Sequence, residues 1–162
     1  MKKYMIKKIG KKGKGVFAKQ LIKQKEKILT VNLTKNRGYY LKELHTVSLK
    51  DRNHLDPVGN EIYVVDHSDF SYVNHSCDPN TYVKEKNRKI KSLIALKEIQ
   101  KNEEITYDYT LTADSTEKWK EKCYCNSLKC RKFIDSNYSK LPKDLQIKYL
   151  PLLPAWKKRL LK

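Results

Sequence analysis

The chain has 162 residues, of which 36 are Lys or Arg and 18 are Asp or Glu, so its formal net charge is +18. This length fits one domain, and although only 39% of the residues are apolar, 11 Tyr, 3 Phe and 2 Trp supply a core, which excludes wholesale disorder. No apolar run reaches the roughly 18 residues of a membrane span, and the Lys-rich start lacks a signal peptide. The sequence therefore predicts a cytoplasmic protein with no membrane partner, or a nuclear one if the source is eukaryotic.

The first half of the chain predicts short strands separated by turns. Two glycines within residues 11–19 predict a tight loop that leads into a strand, and aliphatic and β-branched residues predict another strand within 21–33. Residues 41–55 have no clean period and are expected to form a loop with a short helix. A Gly-Asn pair at 59–60 predicts a turn, and a strand pattern follows over 61–66.

Two further strands are predicted before the tail. One pattern covers residues 90–96, and the other runs through Ile105, Tyr107 and Tyr109. Short strands between turns, with little helical periodicity, predict a mostly β domain.

The tail differs because prolines interrupt it. Short helices are predicted over 142–149 and 155–161, and each begins near a proline. Trp156, Leu160 and Leu161 are expected to share the apolar face of the second helix, which packs on the domain.

Four cysteines give a more specific indication. Cys77 stands alone, whereas Cys123, Cys125 and Cys130 form a C-x-C-x4-C cluster. Four thiols are the number that a closed tetrahedral zinc site needs, and two disulfides are the alternative. Because nothing in the sequence indicates export, and because a reducing compartment favours thiolates over disulfides, zinc is the preferred prediction.

The net charge has two explanations, and the sequence leaves both open. Clustered cations bind nucleic acid by releasing counterions from the phosphate backbone. However, only 5 of the 36 basic residues are Arg, and an excess of Lys also follows from an AT-rich genome. Direct contact with nucleic acid therefore stands beside a purely compositional origin.

Four motifs follow one another along the chain: Gly-Lys-Gly at 13–15, Asn-His-Ser-Cys-Asp-Pro-Asn at 74–80, Glu-Glu-Ile-Thr-Tyr-Asp-Tyr at 103–109 and the cysteine cluster at 123–130. In this order they resemble the signature of the SET-domain protein-lysine methyltransferases with a post-SET zinc motif. The resemblance implies a SET-type fold of several short sheets with a pseudoknot-like active site.

The resemblance also implies an organisation of the chain into three parts. These are a SET domain at 1–116, a post-SET zinc-binding segment at 117–136 and a short helical tail at 137–162.

Two cofactors are implied in the same way: S-adenosylmethionine as the methyl donor, and zinc. The donor contacts implied are Lys12, Gly13, Lys14, Gly15, Tyr63, Asn74, His75, Tyr109 and Tyr124. The zinc ligands implied are Cys77, Cys123, Cys125 and Cys130. Zinc bound in this way would tie a distant segment of the chain onto the active-site block.

By the same resemblance, Tyr109 is the catalytic tyrosine, and Tyr107 occupies the position where the family carries either Tyr or Phe. A substrate lysine has a pKa of about 10.4, so removing its proton at pH 7 costs roughly 4.6 kcal/mol, and a narrow apolar channel lowers that cost. A hydroxyl at Tyr107 takes up room in such a channel and holds water. The sequence therefore predicts mono-methylation.

The sequence constrains the substrate less. Many family members carry Arg three residues before the Asn of the second motif, where this chain has Ser71, and residues 36–59 align with nothing in the family. Residues 54–85 and 102–117 each carry a net charge of −5, which favours either attraction of a cationic peptide or ordinary solvated loops.

The predicted partner is a lysine-containing basic protein, such as a histone or another nucleic-acid-associated protein, and the chain is expected to be a monomer. Two alternatives remain: a small zinc-bearing nucleic-acid-binding protein and a catalytically silent SET scaffold.

Overall fold

The computed structural model describes residues 1–10, 13–113 and 118–161, and these form a mostly β fold of several short sheets, as predicted. The strands are β1 (Tyr4–Ile9), β2 (Gly13–Ala18), β3 (Lys27–Asn32), β4 (Gly38–Tyr40), β5 (Leu55–Gly59), β6 (Ile62–Val65), β7 (Asn74–His75), β8 (Thr81–Asn87), β9 (Ile90–Ala95), β10 (Glu104–Tyr107), β11 (Lys120–Lys122) and β12 (Phe133–Asp135). The α-helices are α1 (Leu49–Arg52), α2 (Lys143–Tyr149) and α3 (Ala155–Leu160). The 3₁₀ turns are Leu41–Thr46, Asp69–Tyr72, Tyr109–Leu111, Tyr138–Lys140 and Leu150–Leu152.

The first sheet brings three of the sequence motifs together. Its strand order is β1-β2-β10-β7, in which β2 lies antiparallel to both β1 and β10. Strand β10 is parallel to the short strand β7, with Thr106 opposite Asn74 and Tyr107 opposite His75. The second and third motifs therefore lie side by side although they are distant in the chain.

The other sheets surround this one. Two are three-stranded, with the orders β3-β9-β8 and β4-β6-β5, and β11 pairs with β12. The core between the sheets includes five aliphatic side chains with no exposed surface: Val16, Ile22, Leu93, Ile99 and Ile105. Full burial of each such side chain stabilises the fold by about 1.5–3 kcal/mol, so these residues fix the sheets against one another.

Most of the predicted strands are present, and one prediction needs correction. Strands β2, β3, β6 and β9 lie where the sequence pattern placed strands. The predicted strand through Tyr109 is two residues too long, because β10 ends at Tyr107. The side chain of Asp108 accepts a hydrogen bond from the backbone N–H of Thr110 at 3.1 Å and begins the 3₁₀ turn that carries Tyr109.

Both tail helices begin directly after a proline, Pro142 for α2 and Pro154 for α3, as predicted. Leu111 of the body packs against four apolar residues of the tail: Tyr138, Leu141, Tyr149 and Leu153. The predicted apolar face of α3 is wrong, because Leu160 is 55% exposed whereas Lys157 is buried. No helix in the described parts of the chain is long and apolar enough to cross a membrane.

Candidate active site and thiol cluster

Asn80, the last residue of the second motif, fastens that motif to β10. Its amide donates to Glu103 Oε1 at 2.9 Å and to the carbonyl of Glu104 at 2.8 Å. Its Oδ1 accepts from the backbone N–H of Thr106 at 2.9 Å. Both the nitrogen and the oxygen of this buried amide are hydrogen-bonded, and only one arrangement of the two segments allows this. Asn80 therefore fixes the position of β10 relative to the motif.

Tyr107 and Tyr109 form the centre of the candidate site. Their ring centroids are 4.8 Å apart, and Tyr109 also packs edge-on against His75 at 5.4 Å. The Tyr109 hydroxyl donates to the carbonyl of Val73 at 2.9 Å, and the Tyr109 backbone N–H donates to His75 Nδ1 at 3.2 Å. The His75 ring and the Val73 carbonyl therefore hold Tyr109 at both its backbone and its hydroxyl.

Both phenols stay protonated at neutral pH. Burial raises the pKa of Tyr107 well above its ordinary value, and the neighbouring Tyr109 and Asp56 raise it further. Burial likewise raises the pKa of Tyr109, with added contributions from the charges of Glu104 and Glu121. The two hydroxyls can therefore donate and accept hydrogen bonds, but they do not supply a phenolate base.

A cleft of about 440 Å³ opens beside the two tyrosines. Its walls include Tyr63, Tyr107, Tyr109 and three carboxylates, Asp56, Asp66 and Glu121. Asp56 is neutralised by Lys91, whose Nζ lies 2.6 Å from Asp56 Oδ1. Within the described residues, the buried Asp66 Oδ2 has no hydrogen-bond partner. Arg52 also lines the cleft, but the carboxylates of the cleft outnumber its cations, and a net negative lining with aromatic walls suits a cationic side chain.

The first motif lies against the second through Gly15. A Cβ at this position would meet Ile9 Cδ1 at 2.2 Å and the amide nitrogen of Asn74 at 2.9 Å. That amide donates to the carbonyl of Lys14 at 3.0 Å and to Glu104 Oε1 at 2.9 Å. A side chain at residue 15 would displace Ile9 or Asn74, whereas glycine leaves both in place, so Asn74 of β7 reaches across β10 to β2 and the first two motifs form one wall.

The four cysteines come together at one point. The four sulfurs all lie within 4.8 Å of one another, and no disulfide links them; they belong to Cys77, Cys123, Cys125 and Cys130. Backbone N–H groups of Arg131 and Lys132 donate to the sulfurs of Cys77 and Cys130, each at 3.4 Å. Four convergent thiols with such donors are the ligand set of a closed zinc site, so the cluster fits zinc.

The thiol pKa values differ within the cluster. Burial raises the pKa of Cys77 to about 11. Burial acts in the same direction on Cys125, but hydrogen bonds from Cys77, Ser127 and the neighbouring thiols outweigh it and lower the pKa to about 7. The cluster therefore presents at least one thiol that ionises near neutral pH, as metal binding requires.

Two contacts connect the thiol cluster to the tyrosines. His75, whose Nδ1 holds Tyr109, places its Nε2 3.3 Å from the sulfur of Cys77. Arg131, next to Cys130 in the chain, forms two parallel contacts with Asp108, Nη1 to Oδ2 at 2.8 Å and Nη2 to Oδ1 at 2.9 Å. Sequence reasoning did not find Arg131 or Asp108 as a pair, since nothing in the local pattern marks two residues that meet only after folding.

The other predicted site residues are distributed unevenly. Tyr63 lines the cleft together with Tyr107 and Tyr109. Tyr124 is 58% exposed and lies beneath Lys122, whose Nζ is 5.5 Å from the ring centroid. Gly13 begins β2 with a φ of +78°, next to Lys14. Lys12 lies outside the described residues.

This arrangement defines the class of protein, and comparison with known families agrees. The family model described as SET domain matches residues 13–110, so the chain belongs to the SET-domain family. It is 37% identical over 67 residues to the histone-lysine N-methyltransferase trithorax of Drosophila virilis, a match that covers 40% of this chain and 2% of that protein. The chain therefore spans only a small part of such relatives.

Solved structures share the fold. A Plasmodium falciparum protein assigned as a histone methyltransferase superposes with a TM-score of 0.51 at 26% identity, over 66% of this chain and 92% of that one. KRYPTONITE, solved in complex with mCHG DNA and SAH, gives a TM-score of 0.59 at 24% identity, over 81% of this chain and 28% of that one.

Proposed function

We propose that the protein is an S-adenosylmethionine-dependent protein-lysine N-methyltransferase that acts on a basic protein. The observation that carries this proposal is the pair of protonated, half-buried tyrosines at the cleft, with the Tyr109 hydroxyl bonded to the Val73 carbonyl. The names of the relatives, histone-lysine N-methyltransferases, support it.

The donor site in this proposal is the wall formed by the first two motifs. Bound there, S-adenosylmethionine supplies a methyl group activated by its sulfonium. Gly13, Lys14, Gly15, Asn74 and His75 are the proposed contacts, joined by Tyr109, with Tyr63, Tyr124 and Lys12 as further candidates. The lack of a Cβ at Gly15 and the Asn74 amide on the Lys14 carbonyl support this assignment, as does the SAH bound in KRYPTONITE.

The tyrosines are proposed to prepare the substrate amine. The carboxylates of the wider cleft attract the cationic lysine, and the aromatic walls at Tyr107 and Tyr109 are proposed to disfavour its ammonium form, so that the lysine loses its proton there more easily than in water. The Tyr109 hydroxyl donates its hydrogen bond to the Val73 carbonyl. Its oxygen lone pairs therefore remain available to orient the amine and the methyl hydrogens. Tyr109 is therefore the proposed catalytic residue. Tyr107 is proposed to restrict the product to mono-methyl-lysine because its hydroxyl occupies the space that a second methyl needs.

The substrate class follows from the cleft charges. Asp66 and Glu121 line the cleft, and Asp56 lies beside them. A lysine within a basic sequence would find favourable potential there although the whole chain carries +18. We propose a histone or another nucleic-acid-associated protein as partner, and zinc on the four cysteines as the second cofactor. From the resemblance to SET-domain methyltransferases we also propose three parts of the chain: a SET domain at 1–116, a zinc-binding segment at 117–136 and a tail at 137–162.

The test is methyl transfer from radiolabelled S-adenosylmethionine to core histones, with mapping of the labelled residue by mass spectrometry. Tyr109→Phe is expected to reduce kcat by about 100-fold or more, the scale of a lost orienting group, whereas Tyr40→Phe, at a tyrosine that is 53% exposed, serves as the matched control. Asn74→Ala is expected to abolish donor binding measured by calorimetry. Absence of both donor binding and transfer in the unmodified protein would overturn the proposal.

The net charge favours a second candidate, a zinc-bearing nucleic-acid-binding protein. Its signature is DNA binding whose affinity falls steeply with salt, without affinity for the methyl donor. Donor binding together with weak, salt-independent DNA binding would exclude this candidate. A silent SET scaffold would bind the donor but transfer nothing to any protein in an extract of the source cells.

A further inference from the structure

The last helix, α3, inserts two adjacent side chains into different parts of the body. Trp156 donates from Nε1 to Glu85 Oε2 on β8 at 2.8 Å, and the guanidinium of Arg88 lies 3.6 Å from its ring centroid. Lys157 is 1% exposed, and its Nζ donates to the carbonyls of Thr110 at 2.6 Å and Ala113 at 2.5 Å. The tail is therefore anchored at two points, and one of them directly follows Tyr109.

Burial of the Lys157 ammonium costs free energy that an apolar side chain at the same position would not cost. Lysine is almost never fully buried unless its charge is compensated, and desolvation of an ion costs several kcal/mol that hydrogen bonds must offset. The same helix carries Arg159, a cation that is exposed, so basic composition alone does not account for the burial of Lys157. Hydrogen bonds to the carbonyls of Thr110 and Ala113 are among the interactions that offset this cost.

These two carbonyls belong to the segment that holds Tyr109. Thr110 lies in the 3₁₀ turn Tyr109–Leu111, and the backbone N–H of Ala113 donates to the carbonyl of Tyr109 at 2.9 Å. Ala113 also lines the cleft together with Tyr107 and Tyr109. Holding both carbonyls at one nitrogen fixes the direction of the chain directly after the proposed catalytic tyrosine.

Trp156 contacts a chain of charged residues that leads to the cleft wall. Its partner Glu85 interacts electrostatically with Lys91, and Lys91 binds Asp56 in the cleft wall at 2.6 Å. The contacts of Trp156 thus fix the position of the start of α3, and with it the position of the Lys157 ammonium.

We propose that Lys157 is a positioning residue for methyl transfer: its buried ammonium binds the carbonyls of Thr110 and Ala113 and so holds the turn that presents Tyr109 to the cleft. This inference rests on the proposed methyltransferase function. A displacement of about 1 Å in a reacting group can cost about 100-fold in rate, so a loosened turn lowers kcat without removing any group that contacts substrate.

The test compares Lys157→Met, which keeps an unbranched side chain of nearly the same length but lacks the donors, with Arg159→Met, which removes one charge from the exposed side of the same helix. In Lys157→Met we expect kcat to fall at least tenfold, while the calorimetric Kd for S-adenosylmethionine and the KM for the protein substrate change less than threefold. Hydrogen exchange should accelerate at the amides of residues 109–113 in this variant and stay unchanged in Arg159→Met.

Unchanged kcat in a folded Lys157→Met variant would show that the tail only stabilises the fold and would overturn the inference, as would unchanged exchange at residues 109–113. Lys157→Gln keeps an amide donor on a shorter side chain and serves as the test if the Met variant does not fold. In this variant we expect a smaller loss of kcat than in Lys157→Met. An unchanged kcat in Lys157→Gln would also overturn the inference. An unmodified protein that neither binds the donor nor transfers methyl defeats the proposed function instead, and the exchange measurement still decides whether Lys157 holds the turn.

Discussion

Arg131 and Asp108 form a two-pronged ion pair, 2.8 and 2.9 Å long, that joins the thiol cluster to the tyrosine motif. Asp108 has no exposed surface, and it also lies 3.5 Å from His75 Nδ1. Burial alone would lower the pKa of Arg131, but the hydrogen bond and the charge of Asp108 outweigh it and raise the pKa. Arg131 therefore keeps its charge, and its contact with Asp108 couples the segment around Cys130 to the residue between Tyr107 and Tyr109.

Removing one partner of this pair should destabilise the protein. Arg131→Met leaves the Asp108 carboxylate buried without its cation, and we expect the free energy of unfolding to fall by about 3 kcal/mol. Lys129→Met is the control, because the Lys129 side chain is 69% exposed in its pair with Asp78, and such pairs contribute less than about 1 kcal/mol. Urea unfolding measures both variants, and equal losses would contradict the coupling role of Arg131.

Metal removal should reduce stability and methyl transfer together. The four sulfurs lie within 4.8 Å of one another, and one of them belongs to Cys77, whose neighbour His75 holds Tyr109. Without zinc, we expect mutual repulsion of any ionised thiols to open the cluster and loosen His75.

Atomic emission should find one zinc per chain, and a chelator should lower both the melting temperature and kcat. Readdition of zinc should restore both. A chelated protein that keeps full activity would show that the cluster is independent of the active site.

The sequence reveals the site better than it reveals the fold around it. Three motifs and the C-x-C-x4-C cluster can be identified because each is a short contiguous string and they follow one another in a specific order, with Cys77 inside the second motif. The strands that frame them were less visible: β8 reads Thr-Tyr-Val-Lys-Glu-Lys-Asn, and its polar positions hide a strand that packs on one face only.

Lys157 illustrates what a local pattern cannot supply. On a Lys-rich chain one more lysine in a tail helix resembles a solvated residue, and the neighbouring leucines look like the buried face. The outcome is reversed because the ammonium binds the carbonyls of Thr110 and Ala113, which are backbone atoms of a distant turn. A backbone carbonyl is present whatever side chain the residue carries, so the local sequence does not encode these two contacts.

Gly15→Ala should disrupt the wall between the first two motifs. The new Cβ would meet Ile9 Cδ1 at 2.2 Å and the Asn74 amide at 2.9 Å. We expect lower stability and loss of donor binding. The double variant with Ile9→Val removes the Cδ1 atom and should recover stability, while the contact with Asn74 still prevents donor binding. Calorimetry and thermal unfolding separate the two effects, and full donor affinity in the double variant would contradict the assigned wall.

Tyr4 should make stability depend on pH in the alkaline range. Burial, followed by the hydrogen bond and the charge of Asp69, raises the pKa of Tyr4 from 10.0 to about 12. A pKa raised by folding means that the folded state holds the proton more tightly, so the stabilisation is complete below pH 10 and is lost as the pH rises from 10 to 12.

In Tyr4→Phe we expect lower stability at pH 7 but a smaller decline between pH 10 and 12 than in the unmodified protein. Tyr40→Phe, at an exposed tyrosine, should leave that decline unchanged. Denaturant unfolding at a series of pH values measures the slopes, and identical slopes in Tyr4→Phe and the unmodified protein would refute the assignment.

Tyr107→Phe should raise the number of methyl groups added to each lysine. Tyr107 lines the cleft next to Tyr109, with ring centroids 4.8 Å apart, and burial keeps its hydroxyl protonated. Removal of the hydroxyl frees the volume of an oxygen atom, so a methylated amine can turn and accept a second methyl group. Mass spectrometry of the product should shift from mono-methyl-lysine in the unmodified protein to di- and tri-methyl-lysine in the variant. Efficient tri-methylation by the unmodified protein would contradict this role for Tyr107 while leaving that of Tyr109 intact.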